Sequence, residues 1–542
     1  MLLNKENLAR IPSHPSLRRP APRVFNLPEK VLQFGTGVFI RGLIDYFIDK
    51  ANNAGQFNGC VVMVKSTAVG NVDDFRKQDG LYTLLMKSVD EGVDIDEKVI
   101  CAAVSRTLDA STEWGKVLAC ASNPQLSVII SNTTEVGIVL APDDKVDDIP
   151  PSSFPGKLLA FLWQRYKAFR GTKDSGMVIV PTELIPGNGT LLKSIVCELA
   201  LKNKLPLAFI EWLNLSNDFC NSLVDRIVPG KLPAAEQTAI EAELGYEDKL
   251  MVMAESFGLW AIETSSPRSR QLLSFSAAHP GIHLVDDITK FRELKLRLLN
   301  GSHNLSCALG YLAGFTTVKE AMANKDFDAW MQGLILDDIA AAILSDLITK
   351  EDARAFGLSV LNRYRNPHID FQWLDICVQD TSKIRIRAIP IILQHHERYG
   401  YVPRHISMGM AAYILFMRST RDSNGSSLDS PGSPPESPGS PPSSAPRFTG
   451  RLGGRKYTIT DDFAADLHDK WQSNPSLPAV VDSILGDKRL WGVDLTNLQG
   501  FTEDVVFYAN NLDHHGFFRT LTLSDPATRA ASELSLTDQK NS

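Results

Sequence analysis

The strongest constraint on the fold is a series of short, almost uninterrupted apolar runs in the first half of the chain. They are Val31-Leu32-Gln33-Phe34, Cys60-Val61-Val62-Met63-Val64, Leu126-Ser127-Val128-Ile129-Ile130, Met177-Val178-Ile179-Val180 and Leu207-Ala208-Phe209-Ile210. A strand with one wet face alternates apolar and polar residues, so near-continuous runs predict strands covered on both faces. Between them lie helix-like stretches. Leu43, Ile44, Phe47 and Ile48 form a helical stripe, and 157–170 and 190–201 have the same character. Strands alternating with helices predict an open, mainly parallel α/β sheet.

The second half differs. From about Asp287 it reads as helix after helix, over 287–312, 317–331, 334–348, 382–397 and 408–417. A length of 542 residues accommodates two or more domains. The expected division is an α/β domain over 1–283 and a mostly α-helical domain over 284–542. Inside the latter, 421–454 holds a Ser/Pro/Gly tract, Ser430 to Pro442, that cannot build a core and predicts a disordered surface loop.

Charge and composition exclude several classes. The net charge of -7 argues against a non-specific nucleic-acid binder, although a local site can still oppose the net sign and hold a small anion. No apolar run approaches the roughly 18 residues of a membrane helix. The opening residues Met1 to Asn7 lack a basic region followed by an apolar core, so no secretory signal is expected. The seven cysteines are odd in number and widely spaced, with no C-x-x-C, which disfavours a disulfide framework or a zinc ribbon. Reduced thiols and a cytoplasmic location are the expectation. The adjacent pairs His395-His396 and His514-His515 lack partners at metal-ligand spacing, and no metal site is expected.

After the first strand stands Gly35-Thr36-Gly37-Val38-Phe39-Ile40-Arg41-Gly42. Strand, G-x-G turn and helix together form a cradle for a pyrophosphate at a helix N-terminus. Gly35 allows the tight turn and Gly37 lets the backbone approach the phosphates. The usual third glycine is absent, since position 40 is Ile. The second strand ends Val64-Lys65-Ser66-Thr67, without the carboxylate that would hold an adenosine ribose. Lys65 has two readings, a partner for a 2′-phosphate or a solvated strand end. The loop Ser131-Asn132-Thr133-Thr134-Glu135-Val136-Gly137 ends a later strand, and either lines the ligand crevice or caps a helix.

The most informative segment is Lys295-Leu296-Arg297-Leu298-Leu299-Asn300-Gly301-Ser302-His303. On an α-helix Asn300 would lie about 140° and His303 about 80° from Lys295, so all three can border one groove. Partial desolvation by the surrounding leucines would lower the lysine pKa and make its amine a usable base. The amide of Asn300 could stabilise a developing alkoxide, and His303 could orient a substrate. A lysine snorkelling to solvent is the competing reading.

These residues resemble the polyol-specific long-chain dehydrogenases, the mannitol dehydrogenase family. The family pattern K-x-x-x-x-N-x-x-H matches Lys295, Asn300 and His303, followed by Gly310-Tyr311-Leu312-Ala313-Gly314. Further matching strings are Leu32 to Gly37 with Phe39 and Arg41, Ile130 to Glu135, and Pro181-Thr182-Glu183-Leu184-Ile185 with Asn188-Gly189. The resemblance covers most of the chain outside the Ser/Pro tract. It implies a Rossmann-type N-terminal domain, a helical C-terminal domain and a metal-independent oxidoreductase with its site between them. Lys295 would be the general acid/base, Asn188 and Asn300 the oxyanion pair, and His303 the substrate-positioning histidine. Gly35, Thr36, Gly37, Val38, Phe39, Asn132, Thr133, Thr134 and Glu135 would bind the cofactor. That cofactor is expected to be NAD on the resemblance, with NADP open. Within the family the strings favour the branch that reduces keto-hexuronates to aldonates. Lys383, Arg385 and Arg387 supply candidate cations for a carboxylate, all three on one face if extended, or Lys383 and Arg387 on one face if helical. A fructuronate or polyol enzyme is the alternative inside the family, and a nucleotide-binding regulator without turnover the alternative outside it. The sequence leaves the oligomeric state open.

Overall fold

In the computed structural model the described residues are 1–67, 70–90, 93–133, 137–422, 447–452 and 455–523. They form two compact units, Met1–Arg292 and Glu293–Ser542.

The first unit is built on a six-stranded sheet. Its strands are β1 (Glu29–Phe34), β2 (Cys60–Lys65), β3 (Val104–Asp109), β4 (Val128–Ser131), β5 (Val178–Pro181) and β6 (Asp218–Phe219). They pair in parallel in the order β3-β2-β1-β4-β5-β6. This is the order of a dinucleotide-binding sheet, whose ligand crevice lies where the order reverses, between β1 and β4. The apolar runs are continuous because alternate side chains enter different cores. Val31, Val61, Met63 and Ile130 face the core that holds Leu43, Phe47 and Tyr82. Leu32, Val62, Val64 and Ile129 face the core built by the helices Phe154–Phe169, Asn188–Lys202 and Leu207–Ser216.

The run at Leu207 is a helix and not the expected strand. Phe209, Trp212 and Leu213 are buried at helical spacing, whereas Leu207 and Leu215 are exposed. A short apolar run cannot distinguish strand from helix, and the residues that follow it set the period. The last strand is instead Asp218–Phe219. Two smaller sheets flank this framework. One contains Leu17–Arg18, Val93–Cys101, Tyr82–Asp90 and Val252–Ala254, and the other Ser222–Asp225, Leu259–Glu263 and Ile282–Val285.

The second unit is mostly helical and is centred on Arg404–Phe416, which is buried from His405 to its end. The helix Ser302–Leu312 packs beside it in one large core. The expected helix over 317–331 breaks at Asn324, whose side chain caps the next helix by accepting from Asp326 N and Phe327 N. The expected loop over 421–454 is corrected at its margins. Ser419–Asp422, Arg447–Leu452 and Arg455–Ile459 form an antiparallel three-stranded sheet, while 423–446 and 453–454 lie outside the described residues.

Candidate functional site

In the first unit the candidate cofactor-binding residues begin at the end of β1. Gly35 has φ +132°, and a Cβ there would stand 2.6 Å from the carbonyl oxygen of Asn132. Only glycine suits both demands. Gly37 opens a helical run over 38–53, and among the described residues a Cβ on it would meet no atom within 4 Å beyond its own chain neighbours. Packing therefore does not require glycine at 37, and the space before this helix start is open for a phosphate. Gly42 takes over the close packing expected of a third glycine, since its Cβ would lie 3.1 Å from Val228.

The turn is braced from beneath. Gln33 Nε2 donates to Gly35 O and to Asp45 Oδ2, both at 3.2 Å. Burial pushes the Asp45 carboxyl up to about 7, partly offset by the Gln33 bond. Arg41 is buried, donates to Thr36 O at 3.3 Å and to Leu250 O, and lies over the rings of Phe75 and Tyr82. Val38 and Phe39 pack partly against the core.

The loop after β4 reaches the same place. Asn132 N donates to Phe34 O at 2.9 Å, and its side chain donates to Thr182 Oγ1 at 3.0 Å. Thr133 donates from its backbone and its hydroxyl to Glu183 Oε1 at 2.9 and 2.8 Å, and the Ser131 hydroxyl donates to Glu183 Oε2 at 3.1 Å. Glu183 is thus the organiser of this loop, a role the sequence did not reveal. Thr134 and Glu135 lie outside the described residues. Lys65 fits neither sequence reading. It is buried and donates to Thr67 O at 2.6 Å and Asp109 Oδ2 at 3.2 Å.

Asn188, expected as one of the oxyanion pair, is engaged by the backbone around it. It is fully buried, and Nδ2 donates to the carbonyls of Pro181, Glu183 and Ser222 at 3.0, 3.0 and 3.1 Å. Its Oδ1 accepts from Gly189 N at 2.8 Å and Ser222 N at 2.9 Å. Both amide hydrogens are engaged by backbone carbonyls, which makes the side chain a tie between strand ends.

In the second unit the backbone over Lys295–Gly301 is a π-helix, continued by Ser302–Leu312. A π-helix bonds i to i+5, so residues five apart stack on one face as residues four apart do on an α-helix. Lys295 and Asn300 are therefore closer in direction than the α-helical estimate. Both are half-buried, as is His303. The neighbouring Leu294, Leu298 and Leu299 turn into the core. The Asn300 side chain makes no hydrogen bond among the described residues. The His303 ring stacks on Tyr364 with centroids 4.4 Å apart. The Tyr364 hydroxyl donates to Leu299 O at 2.8 Å, tying the stack to the π segment.

Residues Asp380–Arg387 form a helix, which removes the extended alternative for the three cations. Lys383 Nζ donates to Ile376 O at 3.1 Å, and exposed Arg385 donates to Arg489 O at 3.3 Å. Arg387 alone of the three bonds the helix that follows His303, donating from Nη1 to Asn304 Oδ1 at 2.9 Å. Its carbonyl, with that of Ile386, accepts from Arg297 Nη1 on the π segment at 3.1 and 2.7 Å.

A parallel β3-β2-β1-β4-β5-β6 sheet with an open glycine turn at its reversal point defines a Rossmann-type nucleotide-cofactor fold, here followed by a helical unit carrying a lysine, an asparagine and a histidine on one helical run. The chain belongs to the mannitol dehydrogenase family: the family's Rossmann domain matches residues 29–273 and its C-terminal domain residues 287–437. Its relatives include the altronate oxidoreductase of Bacillus subtilis, 34% identical over 497 residues that cover 91% of this chain and 95% of that protein. That of Halalkalibacterium halodurans is 35% identical over 478 residues, covering 87% and 88%. Among solved structures, Pseudomonas fluorescens mannitol 2-dehydrogenase in ternary complex with NAD and D-mannitol gives a TM-score of 0.65 at 21% identity, covering 97% of this chain and 100% of that one. A substrate-free D-sorbitol dehydrogenase gives 0.74 at 19% identity, covering 95% and 99%. No described helix is long and apolar enough to cross a membrane.

Proposed function

We propose that this oxidoreductase interconverts a keto-hexuronate and its aldonate, tagaturonate and altronate, using NAD and a lysine general acid/base. The observation that carries the mechanism is the π segment, which brings Lys295 and Asn300 towards one face, while the Asn300 amide makes no hydrogen bond among the described residues. The substrate rests on the altronate oxidoreductases that match nearly the whole chain.

The open space at Gly37, the helix start behind it and the adjoining Asn132–Thr133 backbone suit a dinucleotide pyrophosphate. NAD is favoured over NADP because the Lys65 ammonium is already spent on Asp109 and Thr67 O. The bound dinucleotide supplies or accepts the hydride at the substrate carbon. The chain's own residues manage charge and protons. In reduction the carbonyl oxygen becomes negative, the Asn300 amide donates to it, and the Lys295 ammonium gives it a proton. In oxidation the neutral Lys295 amine takes the hydroxyl proton. His303, held flat against Tyr364, aims its ring at a substrate hydroxyl. Arg387 meets the carboxylate, because it is the cation bound to the helix that bears His303.

The test is a substrate panel of tagaturonate, fructuronate, fructose and mannitol, each with NAD(H) and NADP(H), read by nicotinamide absorbance and repeated after prolonged chelation. Tagaturonate with NADH is expected to dominate and to survive the chelator. A preference for fructose would move the chain to the polyol branch. Inactivation by chelation with rescue by zinc would replace the lysine mechanism. Silence on every pair would favour a nucleotide-binding regulator.

A further inference from the structure

Beneath the proposed carboxylate cation lies a buried acid that the mechanism above does not use. Asp380 is fully buried at the first position of the helix that ends in Arg387. Its Oδ1 accepts from Asn304 Nδ2 at 2.6 Å, and its Oδ2 from Cys307 Sγ at 3.4 Å. Asn304 and Cys307 stand one turn apart on the helix Ser302–Leu312, directly after His303. The other end of the Asn304 amide, Oδ1, accepts from Arg387 Nη1 at 2.9 Å. One asparagine thus ties both ends of the Asp380–Arg387 helix to the helix that carries His303.

An amide is directional. Its nitrogen only donates and its oxygen only accepts, while a guanidinium only donates. Asn304 can hold Arg387 only with its oxygen turned towards it. A carboxylate at the opposite end enforces that orientation, since it accepts from the amide nitrogen and offers the oxygen nothing. Without that acceptor the amide could rotate by half a turn and present NH2 to the guanidinium. The backbone of Arg387 is fixed separately. Arg297 grips its carbonyl, and Gly301 lets it approach, because a Cβ at 301 would stand 3.4 Å from Arg387 O and 2.8 Å from Ile391 Cδ1. Arg297 thus holds the Arg387 carbonyl, and Asn304 holds one nitrogen of its guanidinium.

We propose that Asp380 is a positioning residue for anionic substrates: by orienting the Asn304 amide it aims Arg387 at the substrate carboxylate. This rests on the reading of Arg387 as the carboxylate partner. Burying a carboxyl is costly, and here burial pushes its pKa up to about 7, so a purely architectural role would be met more cheaply by an apolar pair.

The test is steady-state kinetics with tagaturonate on four variants of the full chain, R387M, N304L, D380N and the D380N/R387M double variant, each with NADH affinity measured separately. R387M is expected to raise KM about tenfold or more with kcat at saturation little changed. N304L and D380N should raise KM about three- to tenfold in the same pattern. The double variant should be no worse than R387M alone, because Asp380 acts through Arg387. If R387M leaves KM unchanged, the reading of Arg387 is wrong and the inference falls with it. If R387M raises KM but N304L and D380N do not, or if the effects multiply in the double variant, Arg387 stands and the positioning role is overturned. A loss of kcat or of NADH affinity equal to the KM change would mark Asp380 as architectural. Should D380N fail to fold, N304L and its double with R387M carry the same comparison.

Discussion

Two helical runs in this molecule use the same backbone device for opposite ends. The run over 38–53 in the first unit and the run over 289–312 in the second both pass into π-helix at a basic residue, Arg41 in one and Lys295 in the other. In the first run the basic and acidic side chains of the π segment are buried. Arg41 is buried against two carbonyls and two rings, and Asp45 and Gln33 bond each other beneath the glycine turn. In the second run Lys295, Asn300 and His303 stay half-buried, and the Asn300 amide makes no bond among the described residues. On the proposed mechanism the first run is a shape and the second a set of reagents. Residue type does not separate the two uses, whereas burial and hydrogen-bond commitment do. The two asparagines expected to act as a pair show this most sharply, since among the described residues Asn188 makes five side-chain hydrogen bonds and Asn300 none.

The largest expected effect tests the second run. Lys295→Ala should lower kcat by about 10²–10⁴-fold, the scale of a lost general acid/base, while NADH affinity measured by fluorescence stays nearly unchanged. A variant with near-normal turnover would make Lys295 a bystander. Next comes the asparagine contrast. Asn300→Ala should cost about 10²-fold in turnover with little change in stability, as expected for one lost oxyanion donor. Asn188→Ala should instead cost about 2–4 kcal/mol of stability in denaturant, because it leaves buried backbone groups unsatisfied. A well-folded Asn188→Ala protein with a selective loss of kcat would restore Asn188 to the oxyanion pair and erase the distinction drawn here.

How much of this was legible follows from the range of the interactions. The sheet was visible because strands covered on both faces write themselves as unbroken apolar runs, and the glycine turn because it is contiguous with its strand. The π segment was invisible, because an i→i+5 helix leaves no periodicity that differs from an ordinary helix over seven residues. The fates of Lys65 and Asn188 were invisible for another reason. They depend on Asp109 and Ser222, which are adjacent only once the sheet has assembled. Arg385 and Arg387 were equivalent only on the extended reading, and the helix turns one towards Arg489 and the other towards Asn304. Gly42 escaped the expected glycine pattern because its spacing is two residues longer than the pattern allows, although it performs the same close packing.

The smallest expected effect asks whether the first run is only a shape, and it needs two neighbouring glycines. At Gly35 a side chain is opposed by the protein itself, through φ +132° and a Cβ only 2.6 Å from Asn132 O. Gly35→Ala should therefore lower stability, by about 1–3 kcal/mol for the strained backbone alone, whether or not cofactor is present. At Gly37 the backbone is extended, at φ -61° and ψ 164°, and any residue adopts it without strain. Among the described residues, no atom beyond its own chain neighbours lies within 4 Å of the missing Cβ. Gly37→Ala should then melt like the parent protein in the absence of dinucleotide. Its penalty should emerge only when NADH is titrated, as an affinity weakened by about tenfold, because the added methyl group occupies the space through which a pyrophosphate approaches the helix start. Equal destabilisation of both variants without cofactor would mean that Gly37 serves the fold as Gly35 does. Unchanged NADH affinity in a stable Gly37→Ala protein would move the pyrophosphate away from this turn, and the first run would then hold a shape for some other purpose.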